Sequence, residues 1–286
     1  MIIFAQTIPQ MKKRSSLISA IILIALCAIY LVQEETGFLS RLLPGGGRQS
    51  DIPEGLMELP ACDGGDIILT HNGFVISYNA EARIPLWVAY ELTDEETRGE
   101  LDRDEYKFQM DPSYSSIQAM REDYADDDYR WSRGHMAPAA DFEWDAEAMG
   151  ETFYLTNICP QDRELNKNDW NYLEKQVRNW ARQFGKVWVV TGPVIGTNRY
   201  GTIGDRDVVV PDGFFKAVLA NRNGKYHSIA FVMDNDDKRY WLDDCAMSVD
   251  ELESITGLDF FPLLPDDTED AVESKVTLSF WNIRER

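Results

Sequence analysis

One histidine of this chain lies among arginines and small residues, in the segment RWSRGHMAPAADF at positions 130–142. Arg133 precedes His135 by two positions and Arg130 precedes it by five. An imidazole titrates near neutral pH and can take a proton from water, while a guanidinium binds phosphate oxygens. The segment is compatible with a histidine that acts as a base, but a structural role is the more common explanation for the RGH tripeptide on its own.

The other two histidines, His71 and His227, have no such surroundings. Each lies in a predicted strand or turn, and neither is accompanied by a group of charged residues. Most histidines in proteins have ordinary structural or surface roles, so we expect both of these to be structural.

A second group of polar residues lies on a predicted helix, in the segment LNKNDWNYLE. Asn166 falls one turn before Trp170 on the inward side of that helix, and Glu174 follows two turns after Asn166. An amide oxygen can bind a magnesium ion that keeps most of its water shell, and a carboxylate can hold those waters. The alternatives are a buried amide that satisfies backbone groups and a solvated carboxylate paired with Lys175 or Arg178.

The elements that would position these residues alternate between strands and helices, which indicates an α+β fold. The helix at 165–184 has one apolar side and a stop at Gly185, and a capping box predicts a helix that starts at Ser248. The predicted strands are, in order, IILTH and GFVISYN around an Asn-Gly turn, RIPLWVAYELT, TFYLTNICPQ, KVWVVTGPV, and a hairpin around Asn223-Gly224.

The composition is that of a globular protein, with 44% hydrophobic and 27% charged residues. A formal net charge of −21 argues against a protein that coats nucleic acid, because such binding depends on neutralising phosphates. The helical segment 163–186 is an exception, since it has six basic residues against three acidic ones. Such a locally positive region could still attract phosphate.

The N-terminus predicts export. Lys12, Lys13 and Arg14 precede an uncharged run of 18 residues, 15–32, which is typical of a signal peptide or a signal-anchor. We interpret residues 1–32 as that segment, with an uncleaved anchor favoured over a removed signal, and 33–60 as a Gly- and Pro-rich linker. Residues 61–286 would form one extracytoplasmic domain, periplasmic or secreted, held at the membrane.

The chain has four cysteines, and three of them, Cys62, Cys159 and Cys245, lie in the predicted exported domain. An oxidising compartment would permit one disulfide and one free thiol among them. We favour the pair Cys62–Cys245, because Cys159 lies within a segment expected close to the site. No CxxC or HExxH motif is present, so the sequence does not support a zinc site.

Three segments together, RGHMAPAADF, FYLTNICPQ and LNKNDWNYLE, resemble the DNA/RNA non-specific endonuclease family, which includes endonuclease G and Serratia nuclease. The resemblance extends over most of the predicted domain, through PLWVAYELT, VWVVTGPV, VPDGFFKAVL and TGLDFFPLLP. It implies the ββα-metal (His-Me finger) nuclease fold, with a central antiparallel sheet flanked by helices. It also implies a magnesium-dependent endonuclease that hydrolyses phosphodiester bonds in DNA and RNA without sequence preference.

The resemblance assigns a role to each candidate residue. His135 would be the general base, Asn166 the protein ligand of a hydrated Mg²⁺ (or Mn²⁺), and Glu174 would hold the waters of that ion. Arg133 would contact the phosphate or the leaving group, and Arg103 matches an upstream arginine of the family. DNA and RNA would be the substrates, and both a monomer and a homodimer stay open.

One position departs from the family pattern, which is usually Asp-Arg-Gly-His: Ser132 takes the place of the acid. If that acid orients the arginine or the histidine, a serine would do so without charge, and we expect reduced activity or an altered pH optimum. Two alternatives follow, a phosphodiesterase that acts on small nucleotides and a catalytically silent nucleic-acid-binding relative. The first would tolerate the acidic surface better, and the second has only the serine in its favour.

Overall fold

The computed structural model describes residues 57–61, 67–125 and 130–286 of the chain. The strands in these residues are β1 (Ile67–His71), β2 (Phe74–Asn79), β3 (Ile84–Thr93), β4 (Trp131–His135), β5 (Ile158–Asp162), β6 (Lys186–Val194), β7 (Thr202–Ile203), β8 (Val208–Val209), β9 (Gly213–Arg222), β10 (Lys225–Asp234) and β11 (Ala246–Met247). Seven of them form an antiparallel sheet in the order β1-β2-β3-β6-β9-β10-β11. Strands β4 and β5 pair separately, as do β7 and β8.

The helices in the described residues are α1 (Ala146–Thr152), α2 (Arg163–Leu165), α3 (Asn171–Phe184), α4 (Leu242–Cys245), α5 (Val249–Thr256) and α6 (Asp266–Glu273). A π-helical turn, Asn166–Trp170, joins α2 to α3. Short 3₁₀ turns lie at Glu96–Arg98, Arg103–Glu105, Arg121–Tyr124, Ala139–Asp141 and Leu155–Asn157. The large antiparallel sheet and its flanking helices confirm the predicted α+β class.

Apolar side chains cover both faces of the large sheet, because successive residues of a strand point to opposite sides. On β9, Phe214 and Val218 pack into the cluster that contains the inward residues of α3, such as Leu173 and Trp180. Phe215, Ala217 and Leu219 pack into a second cluster, which contains Val249 and Leu252 of α5. The sheet therefore separates a face covered by α3 from a face covered by α5.

Several local signals in the sequence mark the ends of these elements correctly. Gly185 has a φ of 86° and ends α3, as a left-handed C-terminal residue does. The β9–β10 turn places Asn223 and Gly224 at φ 55° and 79°. Ser248 and Glu251 form the predicted capping box at the start of α5.

Two segments differ from the prediction in detail. The strand predicted from Thr152 begins only at Ile158, because 152–157 complete α1 and form a 3₁₀ turn. The Cys62–Cys245 pairing also lacks support, since Cys245 and Cys159 are buried free thiols and Cys62 lies outside the described residues. The segment predicted as a signal or anchor, 1–32, and most of the predicted linker, 33–60, also lie outside them.

Candidate active site

Two short strands and the helix that follows them position the candidate residues. Strand β4 pairs antiparallel with β5, so that Ser132 is opposite Gln161 and His135 is opposite Ile158. Strand β5 leads directly into α2 and the π-helical turn, whose first residue is Asn166. The chain thereby brings a histidine at the end of one strand close to an asparagine at the start of a helix. Single π-helical turns within helices are often found at functional sites.

All five residues predicted from the sequence line one cavity of ≈ 310 Å³, namely Arg103, Arg133, His135, Asn166 and Glu174. Ser132, Arg163, Lys167, Asn171 and Arg178 line it too. The lining thus contains five basic side chains and one carboxylate. A cavity with this balance concentrates positive potential in a chain whose formal net charge is −21.

His135 is held between two phenylalanine rings. Its ring centroid lies 5.2 Å from that of Phe108 and 5.1 Å from that of Phe153, which it meets edge to face. The guanidinium of Arg133 lies over Phe108, at 4.8 Å from the ring centroid, and that of Arg103 lies 6.0 Å from the centroid of Phe153. The two rings therefore support the histidine and both arginines together.

The surroundings of His135 keep its imidazole neutral. Burial lowers its pKa to about 3, and the positive charges of Arg103 and Arg133 contribute in the same direction. Its Nε2 atom is buried and has no hydrogen-bond partner in the described part of the chain. A neutral imidazole with an unpaired nitrogen can accept a proton, which is what a general base requires.

Gly134 is needed between the arginine and the histidine because the strands approach closely there. A Cβ atom at this position would lie 2.3 Å from Oε1 of Gln161 and 2.6 Å from its Cβ. Any side chain at position 134 would therefore push β4 away from β5 and displace His135.

The amide of Asn166 has a defined orientation. Its Nδ2 donates a hydrogen bond of 2.8 Å to Ser132 Oγ, and that hydroxyl donates one of 2.9 Å to the carbonyl oxygen of Gln161. A hydroxyl has one hydrogen, so Ser132 can only accept from Asn166, and the group facing it must be the NH₂. The carbonyl oxygen of Asn166 is consequently the end of the amide that can bind a metal ion.

Ser132 therefore contacts the asparagine, and not the arginine or the histidine that the residue at this position was considered to orient. The reason is the register of the strands: Ser132 pairs with Gln161, only five residues before Asn166 in the chain. The sequence motif consists of residues that are neighbours along the chain. It therefore does not reveal a contact that forms only when β4 and β5 pair.

Glu174 lies half-buried in the same cavity. Burial raises its pKa to about 7, and the carboxylate of Asp141 adds to that effect, whereas Lys216 and Arg178 oppose it. Arg178, which we considered as a partner of Glu174, forms an ion pair of 2.6 Å with Asp141. Tyr90 Oη donates to the other oxygen of Asp141 at 2.8 Å. Arg178 is therefore paired with Asp141, and the charges of both residues act on the pKa of Glu174.

Lys216 is a charged residue of this region that the sequence did not suggest. Its side chain is fully buried on β9, Nζ has no hydrogen-bond partner among the described residues, and it lies 4.9 Å from the centroid of a Trp170 ring. Burial lowers the pKa of Lys216, while the negative charge of Glu174 raises it. The one available signal was a lysine within the apolar run FFKAVL, on the same side of the strand as Phe214 and Val218.

The residues of the cavity fit a hard divalent cation. The Asn166 amide has its oxygen free of the Ser132 contact, and the Glu174 carboxylate carries a raised pKa that a cation would lower again. Magnesium prefers oxygen ligands and keeps several of its waters, so one amide oxygen and one nearby carboxylate suit it.

The remaining histidines lie away from the cavity, but the expectation that His71 lacks charged neighbours is wrong. Its Nε2 lies 3.1 Å from Asp111 Oδ2, and its Nδ1 lies 3.8 Å from Glu151 Oε2. These carboxylates come from distant parts of the sequence, which explains why local patterns did not reveal them. His227 stacks on Phe280, with the ring centroids 3.7 Å apart.

Comparison with known proteins agrees with this fold. The model of the DNA/RNA non-specific endonuclease family matches residues 59–267. The mitochondrial nuclease EXOG of Danio rerio is 39% identical over 209 residues, which cover 68% of this chain and 60% of that protein. Human mitochondrial endonuclease G is 35% identical, over 68% of this chain and 69% of that protein. The structure of an EndoG/EndoGI complex superposes with a TM-score of 0.66 and 28% identity, covering 74% of this chain and 91% of that one.

The fold is thus that of the ββα-metal nucleases, as the family resemblance implied. The chain belongs to the DNA/RNA non-specific endonuclease family. It spans about 60% of the length of the zebrafish EXOG protein and 56% of the human one.

The predicted extracytoplasmic, membrane-anchored location is contradicted by these relatives, since EXOG and endonuclease G are named as mitochondrial proteins. Within the described residues, no helix has the length and apolarity needed to cross a bilayer. The prediction rested on a basic, acid-free N-terminal stretch followed by apolar residues. Basic, acid-poor N-termini also occur in mitochondrial transit peptides, so this feature does not identify an export signal.

Proposed function

We propose that this protein is a metal-dependent endonuclease that hydrolyses phosphodiester bonds in DNA and RNA without sequence preference. The observation that carries the proposal is the convergence of His135, Asn166, Glu174 and two arginines on one positively lined cavity. Each is a residue type that can serve phosphodiester hydrolysis, and they come from three separate stretches of the chain.

In this proposal His135 activates the attacking water. Its neutral imidazole accepts a proton as the water oxygen forms the new bond to phosphorus and the bond to the leaving oxygen breaks. The low pKa of His135 belongs to the cavity without substrate. A bound phosphate would offset the charges of Arg103 and Arg133 and thereby raise that pKa, which makes the imidazole a stronger base.

Arg133 and Arg103 would bind the phosphate oxygens and stabilise the negative charge that grows in the transition state. Their stacking on Phe108 and Phe153 restricts the side chains before substrate arrives, so less conformational freedom is lost on binding. Arg163 and Lys167, which line the same cavity, add to the local attraction for a polyanion.

Asn166 would hold a magnesium ion, or manganese in its place, through its carbonyl oxygen, and Glu174 would accept hydrogen bonds from the waters of the ion. When bound, the metal supplies positive charge next to the scissile phosphate. The contact from Ser132 keeps the oxygen of Asn166 available for this purpose, and Lys216 and Arg178 favour the ionised form of Glu174.

The test uses the full chain beside His135→Ala and the control His227→Ala. Supercoiled plasmid and single-stranded RNA are incubated with each protein, with magnesium and with chelator. We expect magnesium-dependent cleavage of both polymers by the parent protein and by His227→Ala, and a rate about 10²- to 10⁴-fold lower for His135→Ala.

Cleavage of the polymers by His135→Ala at the parent rate would refute the assigned base. If none of the three proteins cleaves the polymers while the parent hydrolyses small nucleotide diesters, the chain is a phosphodiesterase for small substrates. Binding without cleavage of either class would identify a silent relative. Raising the salt concentration also distinguishes the two activities. Affinity for nucleic acid falls steeply with salt, whereas hydrolysis of small diesters should depend on it little.

A further inference from the structure

Three carboxylates converge on the side of the sheet that faces away from the catalytic cavity. Asp250 and Glu253 lie on α5, and Glu273 ends α6. One oxygen from each of them lies within 4.8 Å of the others. Calcium binds oxygens at 2.3–2.6 Å, so an ion between two ligands needs them no more than about 5 Å apart. The three oxygens therefore satisfy the spacing for a single cation.

Glu273 provides an independent reason to expect a ligand here. The residue is 4% exposed, and its Oε1 is buried without a hydrogen-bond partner in the part of the chain that the structure describes. The carboxylates of Glu253 and Asp250 are its neighbours in this cluster. A buried carboxylate among other carboxylates needs a proton or a cation to be stable.

The surrounding contacts hold Glu253 and the end of α6 in place. Glu253 Oε1 accepts a hydrogen bond of 2.9 Å from the backbone N–H of Phe260, which orients its carboxylate. Ser228 Oγ on β10 donates to the carbonyl oxygen of Val272 at 2.7 Å, next to Glu273 in the chain. The capping box of Ser248 defines the start of α5. The carboxylate of Glu253 and the end of α6 are thus positioned before any ion binds.

We propose that Asp250, Glu253 and Glu273 form a binding site for a hard divalent cation of the calcium type. The donors are carboxylate oxygens without imidazole or thiolate, which selects calcium or magnesium over zinc or copper. Calcium tolerates irregular geometry and takes its remaining ligands from water, whereas magnesium demands a near-ideal octahedron. The site belongs to the face covered by α5, while the catalytic cavity belongs to the face covered by α3. Its effect is therefore to tie α5 to α6 and to stabilise the fold.

Calcium itself is the probe. The parent protein for this test is the full chain carrying Asn166→Ala, which removes the metal ligand of the catalytic cavity so that this cavity does not contribute to the measured calcium binding. Isothermal titration and thermal unfolding are measured with calcium and with chelator. We expect one calcium ion per chain and a Tm that rises with calcium concentration. Adding Glu273→Gln removes a charged ligand with little change in shape, and it should weaken calcium binding roughly tenfold or more and abolish the rise in Tm.

Glu269→Gln serves as the matched control, because this carboxylate lies on the same helix but outside the three ligands. It should keep calcium binding. Asp250→Asn, at an exposed position, provides a second test if Glu273→Gln does not fold, and it should also weaken binding. Failure of the parent to bind calcium, or equal binding by the parent and Glu273→Gln, would overturn the proposal. In the first case the carboxyl groups share a proton in place of a cation.

Discussion

The side-chain nitrogen of Asn166 donates a hydrogen bond of 2.8 Å to the hydroxyl oxygen of Ser132, which in turn donates to the carbonyl oxygen of Gln161. This contact gives the serine a defined part in the site. The family pattern usually has an acid at this position, and the serine makes an orienting contact without adding a negative charge to the cavity. Its importance can be measured directly.

Replacing Ser132 by alanine should weaken metal binding. Without the hydroxyl, Asn166 loses the partner that orients its amide, and loss of such supporting contacts typically lowers metal affinity 10- to 100-fold. The measurement is the magnesium concentration that gives half-maximal cleavage of plasmid DNA. Ser132→Thr retains a hydroxyl and should stay close to the parent value. An unchanged magnesium requirement in Ser132→Ala would show that the contact does not position the ligand.

The pH dependence of cleavage should report Glu174 and not His135. The pKa of His135 is lowered to about 3, so its imidazole is already neutral throughout the range above pH 5. The pKa of Glu174 is raised to about 7, so its carboxylate becomes ionised, and activity increases, as the pH rises through that value at low magnesium. Bound metal favours the ionised form of Glu174. A higher magnesium concentration should therefore move the acid limb, which is the low-pH side of the activity profile, to lower pH.

The check is a profile of kcat/KM between pH 5 and pH 9 at two magnesium concentrations. Glu174→Gln should lower the rate of cleavage. It should also remove the effect of magnesium on the position of the acid limb. An acid limb that keeps its midpoint and its magnesium response in Glu174→Gln would assign the titration to another group.

Lys216→Met should move the same acid limb to higher pH. The buried ammonium favours the ionised form of Glu174, so its removal raises the pKa of that carboxyl further. The free energy of unfolding should change by only about 1 kcal/mol, since Lys216 Nζ has no hydrogen-bond partner to lose in the described residues and methionine fills a similar volume. Lys225→Met on the exposed end of β10 is the control, and it should leave the pH profile unchanged. A profile that moves to lower pH in Lys216→Met would contradict this account.

His71→Gln should destabilise the fold in a pH-dependent manner. The nearby carboxylates of Asp111 and Glu151 outweigh the effect of burial and raise the pKa of His71 from 6.5 to about 9. The ion pair therefore contributes fully below pH 6.5, and its contribution is lost as the pH rises through about 9. Removing one partner of a buried ion pair costs about 3–5 kcal/mol. We expect that loss at pH 6 and a much smaller one at pH 9.5.

Denaturant unfolding at both pH values measures this difference. His227→Gln is the control, because the pKa of His227 is lowered by burial and by nearby lysines and not raised by a carboxylate. An equal loss of stability at pH 6 and pH 9.5 in His71→Gln would mean that the histidine contributes through packing alone.

The sequence by itself determined the family, the order of most elements and the five candidate site residues, because these depend on local information. Apolar periodicity marks α3, turn chemistry marks Asn223-Gly224, and the resemblance of RGHMAPAADF and LNKNDWNYLE to the endonuclease family points to His135 and Asn166 as candidates. Such signals involve neighbours along the chain. They can therefore be recognised without any knowledge of the packing.

Only the tertiary structure decided how these residues act on one another. Four features join residues that are distant in sequence or lie on different elements. They are the contact between Ser132 and Asn166, the effect of the Lys216 charge on Glu174, the ion pair between His71 and Asp111, and the cluster of Asp250, Glu253 and Glu273. Hydrogen bonds, desolvation and charge interactions depend on distances in space and on burial. A one-dimensional pattern does not contain these quantities, so chain folding had to supply them.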